Sequence, residues 1–234
     1  YAIGRDGTAT LLSEDRNDYM GFTPHPSDVT TLYASGHPAG GGNLGVLASK
    51  DGGRTWRQIA TGVNGPVDFH QMDVSSADPQ VLYGAHAGSL QVSRDGGTTW
   101  SLVGPAPQGL IDLAASAKDA DVVYAATEGG LLKSEDGGRS WREAYLLRRP
   151  ATMVQVTPEG EVYAFLFGTG LVRTSEPSLS WQTLGDGFDG GYLLHLAAAP
   201  GGETLYAVGV TRQDREVLLL SQDGGQSWSP LGGS

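Results

Sequence analysis

Short apolar runs alternate with glycine-rich and polar turns along the whole chain. Examples are the runs at 67–74, 122–124 and 162–163. No stretch sustains the 3.6-residue period of an amphipathic helix, and turn signals recur about every 8–12 residues, which is typical of all-β proteins. We therefore expect many short antiparallel strands and no long helix.

One eight-residue motif recurs in step with these runs. It reads SKDGGRTW at 49–56, SRDGGTTW at 93–100, SEDGGRSW at 134–141 and SQDGGQSW at 221–228, with a degenerate copy, TSEPSLSW, at 174–181. Successive tryptophans are 44, 41, 40 and 47 residues apart. A period of about 40–45 residues matches one four-stranded blade of a β-propeller. The sequence therefore predicts five full blades.

The motif has a structural interpretation. Asp-Gly between alternating strands is a strong hairpin signal, because glycine reaches positive φ without strain. The aspartate can accept backbone N–H groups across the turn, and the tryptophan that follows can wedge between blades. Glu176 and Pro177 replace Asp-Gly in the degenerate copy, so we expect a different turn there. The residues given this structural role are Ser49, Asp51, Gly53, Trp56, Ser93, Asp95, Gly97, Trp100, Ser134, Asp136, Gly138, Trp141, Trp181, Ser221, Asp223, Gly225 and Trp228.

The motif resembles the Asp-box, or BNR, repeat of sialidase-like β-propellers. Together with the spacing, the resemblance implies a single propeller domain over 1–234. The expected full blades are 19–62, 63–105, 106–147, 148–187 and 188–234. In that family the Asp box is a structural device on the face away from the substrate site.

Residues 1–18 precede the first full blade. They contain a hairpin that turns at Arg5-Asp6-Gly7, which fits the two outer strands of a further blade. We therefore expect a six-bladed propeller whose first blade lacks its inner two strands within this sequence. Two alternatives stay open. The hairpin packs at the edge of an open five-blade arc, or it pads a seven-blade ring.

Composition and charge narrow the classes of partner. The 234 residues include 15 basic and 26 acidic side chains, a formal charge of −11, which argues against nucleic-acid binding. No apolar run approaches the roughly 18 residues of a membrane span, and we recognise no signal peptide at Tyr1. The absence of cysteine excludes disulfides, thiolate metal sites and cysteine nucleophiles.

The working end of the propeller is predicted to lie opposite the Asp boxes. Loops between blades and loops between second and third strands share that end, and loops on a rigid scaffold carry most binding residues. The glycine-rich loop 35–43 is expected to fold over the channel mouth. Candidate ligand-binding residues at this end are Asp18, Tyr19, His37, Asp68, His70, His86, Tyr145, Arg148 and Arg149.

Imidazole and thioether groups within this set suggest a metal site. The candidate ligands are His37, His70, His86 and Met20. They would suit copper or zinc, with Asp18 or Asp68 as an oxygen ligand. The histidines follow no local metal-ligand spacing, so hydrogen-bonded loop histidines are the alternative, and no cofactor is required. We expect His25 at the opposite end and His195 in the core.

Sialidases bind the sugar carboxylate with three arginines. For catalysis they use a tyrosine–glutamate pair and an acid, because an oxocarbenium-like centre must be stabilised while the leaving oxygen is protonated. This sequence has the residue types, including Tyr145, Tyr192, Glu216 and arginines at 16, 148, 149, 212 and 215. It lacks the Arg-Ile-Pro segment that precedes the first Asp box in sialidases. We therefore assign no catalytic residue.

Three short motifs, DYMGF at 18–22, SGHP at 35–38 and DFH at 68–70, are similar to a group of extracytoplasmic bacterial proteins labelled sialidase-like. The resemblance implies a periplasmic or secreted protein. We expect a monomeric, non-catalytic propeller that binds a small ligand, a carbohydrate or a protein at the channel mouth. The alternatives are a sialidase-type glycoside hydrolase and a His/Met metal-binding propeller. A hydrolase needs facing carboxyls, or a tyrosine–glutamate pair with an acid, at roughly 5–10 Å.

Overall fold

The computed structural model describes residues 1–185 and 190–232, and every regular element in those ranges is a β-strand. Five four-stranded antiparallel sheets form the blades of a propeller, and a small two-stranded sheet precedes them. The predicted boundary between the fourth and fifth blades, at 187/188, lies outside the described residues. No helix in the described ranges is long and apolar enough to cross a membrane.

The strands follow one another in simple up-and-down order within each blade. The N-terminal hairpin consists of β1 (Ala2–Ile3) and β2 (Ala9–Thr10). The first blade holds β3 (Asp18–Pro24), β4 (Leu32–His37), β5 (Val46–Ser49) and β6 (Arg57–Ala60); the second holds β7 (Gln71–Val74), β8 (Leu82–His86), β9 (Ser89–Ser93) and β10 (Ser101–Pro105). The third holds β11 (Leu110–Ala115), β12 (Val123–Thr127), β13 (Gly130–Ser134) and β14 (Arg142–Glu143); the fourth holds β15 (Ala151–Val156), β16 (Glu161–Leu166), β17 (Gly170–Ser175) and β18 (Gln182–Gly185). The fifth holds β19 (Tyr192–Ala198), β20 (Leu205–Val210), β21 (Glu216–Ser221) and β22 (Ser229–Pro230).

The first strand of each blade is the innermost, since β3, β7, β11, β15 and β19 pack side by side in that order. Strand β7 begins at Gln71, so only the second half of the apolar run at 67–74 forms an inner strand. Val67 instead crosses between blades: its N–H donates to Thr61 O at 2.8 Å, and its carbonyl accepts from Gly45 N–H at 2.9 Å. These bonds hold the crossing segment out of the sheet.

The Asp-box turn is built alike in its four intact copies. In the third blade, Ser134 Oγ accepts the Gly138 N–H at 2.8 Å, and Asp136 Oδ1 accepts the Ser140 N–H at 2.8 Å. Hydrogen bonds from the hydroxyl and N–H groups four residues on lower the pKa of each box aspartate to about 2. Gly138 has φ +88, and a Cβ there would lie 2.2 Å from Leu90 Cδ2. The positive φ and the lack of space for a Cβ both require glycine at this position.

Apolar clusters fill the four junctions between successive blades in the described chain. Each contains buried side chains from both blades, such as Tyr33 with Phe69 at the first junction and Tyr124 with Val154 at the third. The tryptophan of the later blade packs at the edge of each cluster. These tryptophans are Trp100, Trp141, Trp181 and Trp228. Each of these rings is half-buried and packs against side chains of both blades.

Trp56 differs, because no described blade precedes the first one. Its ring packs within its own blade, 5.1 Å from the Tyr19 ring and 6.5 Å from the Phe22 ring. Phe22 is 55% exposed, whereas Met72, which the strand register places at the matching position of the second blade, is 5% exposed. For Trp56 the wedge between blades stays a prediction.

The N-terminal hairpin lies against the outward face of the fifth blade. Ile3, Leu231 and His195 line an open apolar pocket of about 370 Å³ there. His195 is an exposed residue, so its placement in the core was wrong. Gly7 approaches Gly232 so closely that a Cβ on Gly7 would lie 2.9 Å from the Gly232 Cα. Strands β1 and β2 pair with each other in the described chain. The six-bladed closure stays a prediction.

Candidate functional site at the channel mouth

The two ends of the propeller carry different groups. Each intact Asp-box turn docks on the turn between the first and second strands of its own blade, as in the Gly52 N–H to Thr30 O bond of 2.9 Å and the Gly137 N–H to Asp121 O bond of 2.8 Å. His25 lies at this same end, as predicted, near Thr31. Asp18 pairs with His37 at the other end of β3 and β4. We call that other end the channel mouth.

Asp68 is the centre of the mouth cluster. Its side chain is 12% exposed, and Oδ2 lies 3.1 Å from His37 Nδ1 and 3.3 Å from His70 Nε2. Both distances fit imidazole N–H donors to a carboxylate. Asp18 Oδ2 lies 3.6 Å from His37 Nε2, at the rim of the cluster. The structure thus brings together four of the predicted residues from two neighbouring blades.

His86 contacts a different part of Asp68 from the other two histidines. Its Nδ1 lies 2.9 Å from the Asp68 carbonyl oxygen and 3.3 Å from the Asp68 amide nitrogen, so it contacts the backbone and not the carboxylate. Met20 is 44% exposed. Within 1–185 and 190–232, no group of three or more histidine or acidic side chains is placed to hold a metal ion. The copper or zinc site stays a prediction.

A groove of about 580 Å³ opens beside this cluster. Its walls come from the loops of the first three blades: Asn43, Asp68, His70, Gln71, 85–88 and 106–110. A second groove of about 320 Å³ continues towards the fourth blade and shares Pro107 and Gln108 with the first. We call these two neighbouring grooves the mouth groove.

The remaining candidates occupy the far part of the mouth or its edge. Tyr145 lines the second groove and packs edge-on against Trp181 at 5.7 Å. Arg148 Nε donates to Glu143 Oε1 at 2.6 Å, and Arg149 is exposed beside it. Tyr19 donates its hydroxyl to Asp15 Oδ2 at 2.9 Å, and burial raises its pKa to about 12. Tyr19 is therefore a poor nucleophile at neutral pH.

Two carboxyl groups that sequence analysis did not single out link the inner strands. Asp73 accepts the Thr23 hydroxyl at 2.7 Å and the Ala115 N–H at 2.8 Å, so it joins three blades. Asp112 accepts the Val154 N–H at 3.0 Å. Burial raises the pKa of Asp73 to about 6 and that of Asp112 to about 7. The available signal was an acid inside an apolar inner strand, as in QMDV and LIDLAA.

Comparison with known proteins agrees with this architecture. The family model described as BNR/Asp-box repeat matches residues 91–102, the turn region of the second blade. The chain is a β-propeller, and the turn of its second blade matches the Asp-box family model. Comparison with curated proteins gave no match.

Solved structures similar to this propeller include enzymes and binding proteins. The GH74 xyloglucanase from Xanthomonas campestris is 21% identical with a TM-score of 0.63, over 91% of this chain and 38% of that one. YCF48 bound to D1 peptide is 16% identical with a TM-score of 0.53, and the match covers 94% of this chain and 84% of that one. A chain of the nidogen/laminin complex is 10% identical with a TM-score of 0.62, and the match covers 90% of this chain and 78% of that one.

These likenesses define the fold and leave the activity open, since all three identities are low. The propeller spans 38% and 32% of the lengths of two GH74 proteins. The first part of the mouth groove is lined by a single carboxylate, Asp68. Among the described residues, one tyrosine donates its hydroxyl to a glutamate: Tyr124, whose oxygen lies 3.0 Å from Glu176 Oε1. Glu176 belongs to the degenerate turn, so this pair lies at the end away from the mouth.

Proposed function

We propose that this propeller is a non-catalytic binding protein that holds a segment of another protein in the mouth groove. The observation that carries the proposal is the shape and lining of that groove. Its two parts, about 580 and 320 Å³, share Pro107 and Gln108, and their linings run from Asn43 in the first blade to Arg148. An open surface with Asp68 in one part and Glu143, paired with Arg148, in the other suits an extended chain better than a reacting bond.

Apolar side chains at the far end support a protein ligand. Leu146 is 93% exposed and Leu147 is 49% exposed, in the loop that also carries Arg148. Neighbouring apolar and arginine side chains are typical of the centre of protein interfaces. The YCF48 structure contains a D1 peptide and the nidogen structure contains laminin, which shows that other propellers of this shape bind protein chains.

The test is binding of a library of acetylated nonapeptide amides to the 234-residue protein, measured by fluorescence anisotropy. Gln108→Arg places a bulky charge where the two parts of the groove meet and should reduce peptide binding at least tenfold. Gln80→Arg makes the same change at the Asp-box end and should leave binding unchanged. Equal binding by both variants, or turnover of aryl glycosides by the wild-type protein, would overturn the proposal.

The predicted export belongs to the same proposal. The resemblance of the three mouth motifs to extracytoplasmic bacterial proteins supports it. Fractionation of cells that express the complete gene should place the protein in the periplasm or the medium. Recovery with the cytoplasmic fraction would contradict it.

A further inference from the structure

The Asp68 carboxylate has one satisfied oxygen and one unsatisfied oxygen. Oδ2 lies within 3.3 Å of two imidazole nitrogens. Oδ1 is buried, and no described residue gives it a hydrogen bond. A buried carboxylate oxygen without a donor is costly, so native sites of this kind normally have a partner. Asp68 therefore has capacity for one more donor.

The charge around Asp68 favours a cationic donor. No lysine or arginine of the described chain lines the first part of the mouth groove, and the charged group there is Asp68 itself. Asp18, whose side chain is 76% exposed, adds a second carboxylate at the rim beside His37. A cation that enters meets negative charge without a competing basic side chain.

The groove walls suit a long side chain with a charged tip. Beyond the polar cluster, the lining consists of small or apolar residues, among them Ala85, Ala87, Ala106, Pro107 and Leu110. Such walls can cover the methylene stem of lysine or arginine while its head group reaches the carboxylate. A bare metal ion would need several ligands on one centre, and His86 is turned to the backbone of Asp68.

We propose that Asp68 receives the ammonium or guanidinium group of a lysine or arginine in the bound protein segment. The inference rests on the proposed function, since it names the side chain that the mouth groove selects. His37 and His70 hold the carboxylate in place from one side. The ligand cation donates to the carboxylate from the side that lines the groove, where the side chain is 12% exposed.

The experiment compares nonapeptide libraries that differ in one fixed central residue: lysine, arginine, norleucine, Nε-acetyl-lysine or glutamate. We expect binding of the lysine and arginine libraries, and about 10- to 100-fold weaker binding of the norleucine and acetyl-lysine libraries. Asp68→Asn keeps the shape of the side chain and should remove this preference. Asp78→Asn makes the same charge change on an exposed turn at the opposite end and should keep it.

The outcomes separate the two proposals. If all libraries bind equally and Asp68→Asn changes nothing while Gln108→Arg abolishes binding, the mouth groove binds peptides but the cation inference is wrong. If no library binds, both proposals fail. A parallel titration with Zn²⁺ covers the metal alternative. Saturable Zn²⁺ binding that is lost in Asp68→Asn, without any lysine preference, would overturn the inference in favour of a metal site. Melting temperatures of each variant verify that the fold is intact.

Discussion

The two carboxyl groups between the inner strands should make this protein less stable as the pH rises. Burial raises the pKa of Asp73 to about 6 and that of Asp112 to about 7, from 3.8. At about pH 5 the folded protein therefore keeps protons that the unfolded chain has released. The free energy of unfolding then falls as the pH passes through each folded-state pKa.

The magnitude follows from these values. Between about pH 5 and about pH 8, a pKa of about 6 implies a loss of ~1 kcal/mol, and a pKa of about 7 implies a loss of ~3 kcal/mol. Asp73 and Asp112 are half-buried as whole residues, so water near them screens part of the unfavourable charge. We therefore expect a total loss of about 2–4 kcal/mol over this range.

The assay is urea unfolding of the wild-type protein and of Asp73→Asn, Asp112→Asn and the double variant at several pH values. Asparagine keeps an amide oxygen that can accept the Ala115 or Val154 N–H, so the strand links survive. The double variant should show a much flatter dependence on pH. Asp78→Asn removes one charge on an exposed turn and controls for net charge. Parallel curves for the wild type and the double variant would refute the reasoning.

Two further predictions use matched pairs of substitutions and thermal or urea unfolding. Tyr83→Phe removes a 2.7 Å hydrogen bond to a carbonyl of the next blade and should lower the free energy of unfolding by about 1 kcal/mol. Tyr163→Phe removes a buried hydroxyl that has no described partner and should leave the free energy of unfolding unchanged. Equal losses of stability in the two variants would contradict this prediction. Gly84→Ala would place a Cβ 2.6 Å from the Phe69 ring and should cost about 1–3 kcal/mol. Gly104→Ala meets no atom within 4 Å and should be neutral, so equal stability of the two alanine variants would show that the second blade can relax.

The fold was predictable because its signals are local and repeated. The Asp-box bonds join residues no more than four positions apart, so the motif itself encodes the turn, as at Ser93 and Gly97. The period of the motif then gives the number of blades. The N-terminal hairpin was harder to place, because its position depends on contact between Gly7 and Gly232 at opposite ends of the chain. Such contacts leave no periodic signal.

The mouth cluster was predictable only in part. Aligning the repeats places His37 and Asp68 on adjacent blades at the same end, and the structure brings them within 3.1 Å. The alignment could not show that His86 turns to the backbone, because side-chain direction depends on the local path of the loop. It also could not identify Asp73, whose hydrogen bonds reach two other blades, over 42 residues to Ala115 and 50 to Thr23.

The degenerate repeat shows why the Asp-box end can change without loss of the propeller. Glu176 takes the place of the box aspartate, but its carboxylate reaches the preceding blade, where it accepts the Ala117 N–H at 3.1 Å and the Tyr124 hydroxyl at 3.0 Å. The turn still docks on its own blade through the Glu176 N–H to Gly160 O bond of 2.8 Å. An acid that stabilises one turn has thus been replaced by one that links two blades. Because the apolar clusters at the junctions are present with either kind of turn, neither kind sets the blade spacing. The loops at the mouth, which lie at the other end, can therefore vary with the ligand while the scaffold is kept.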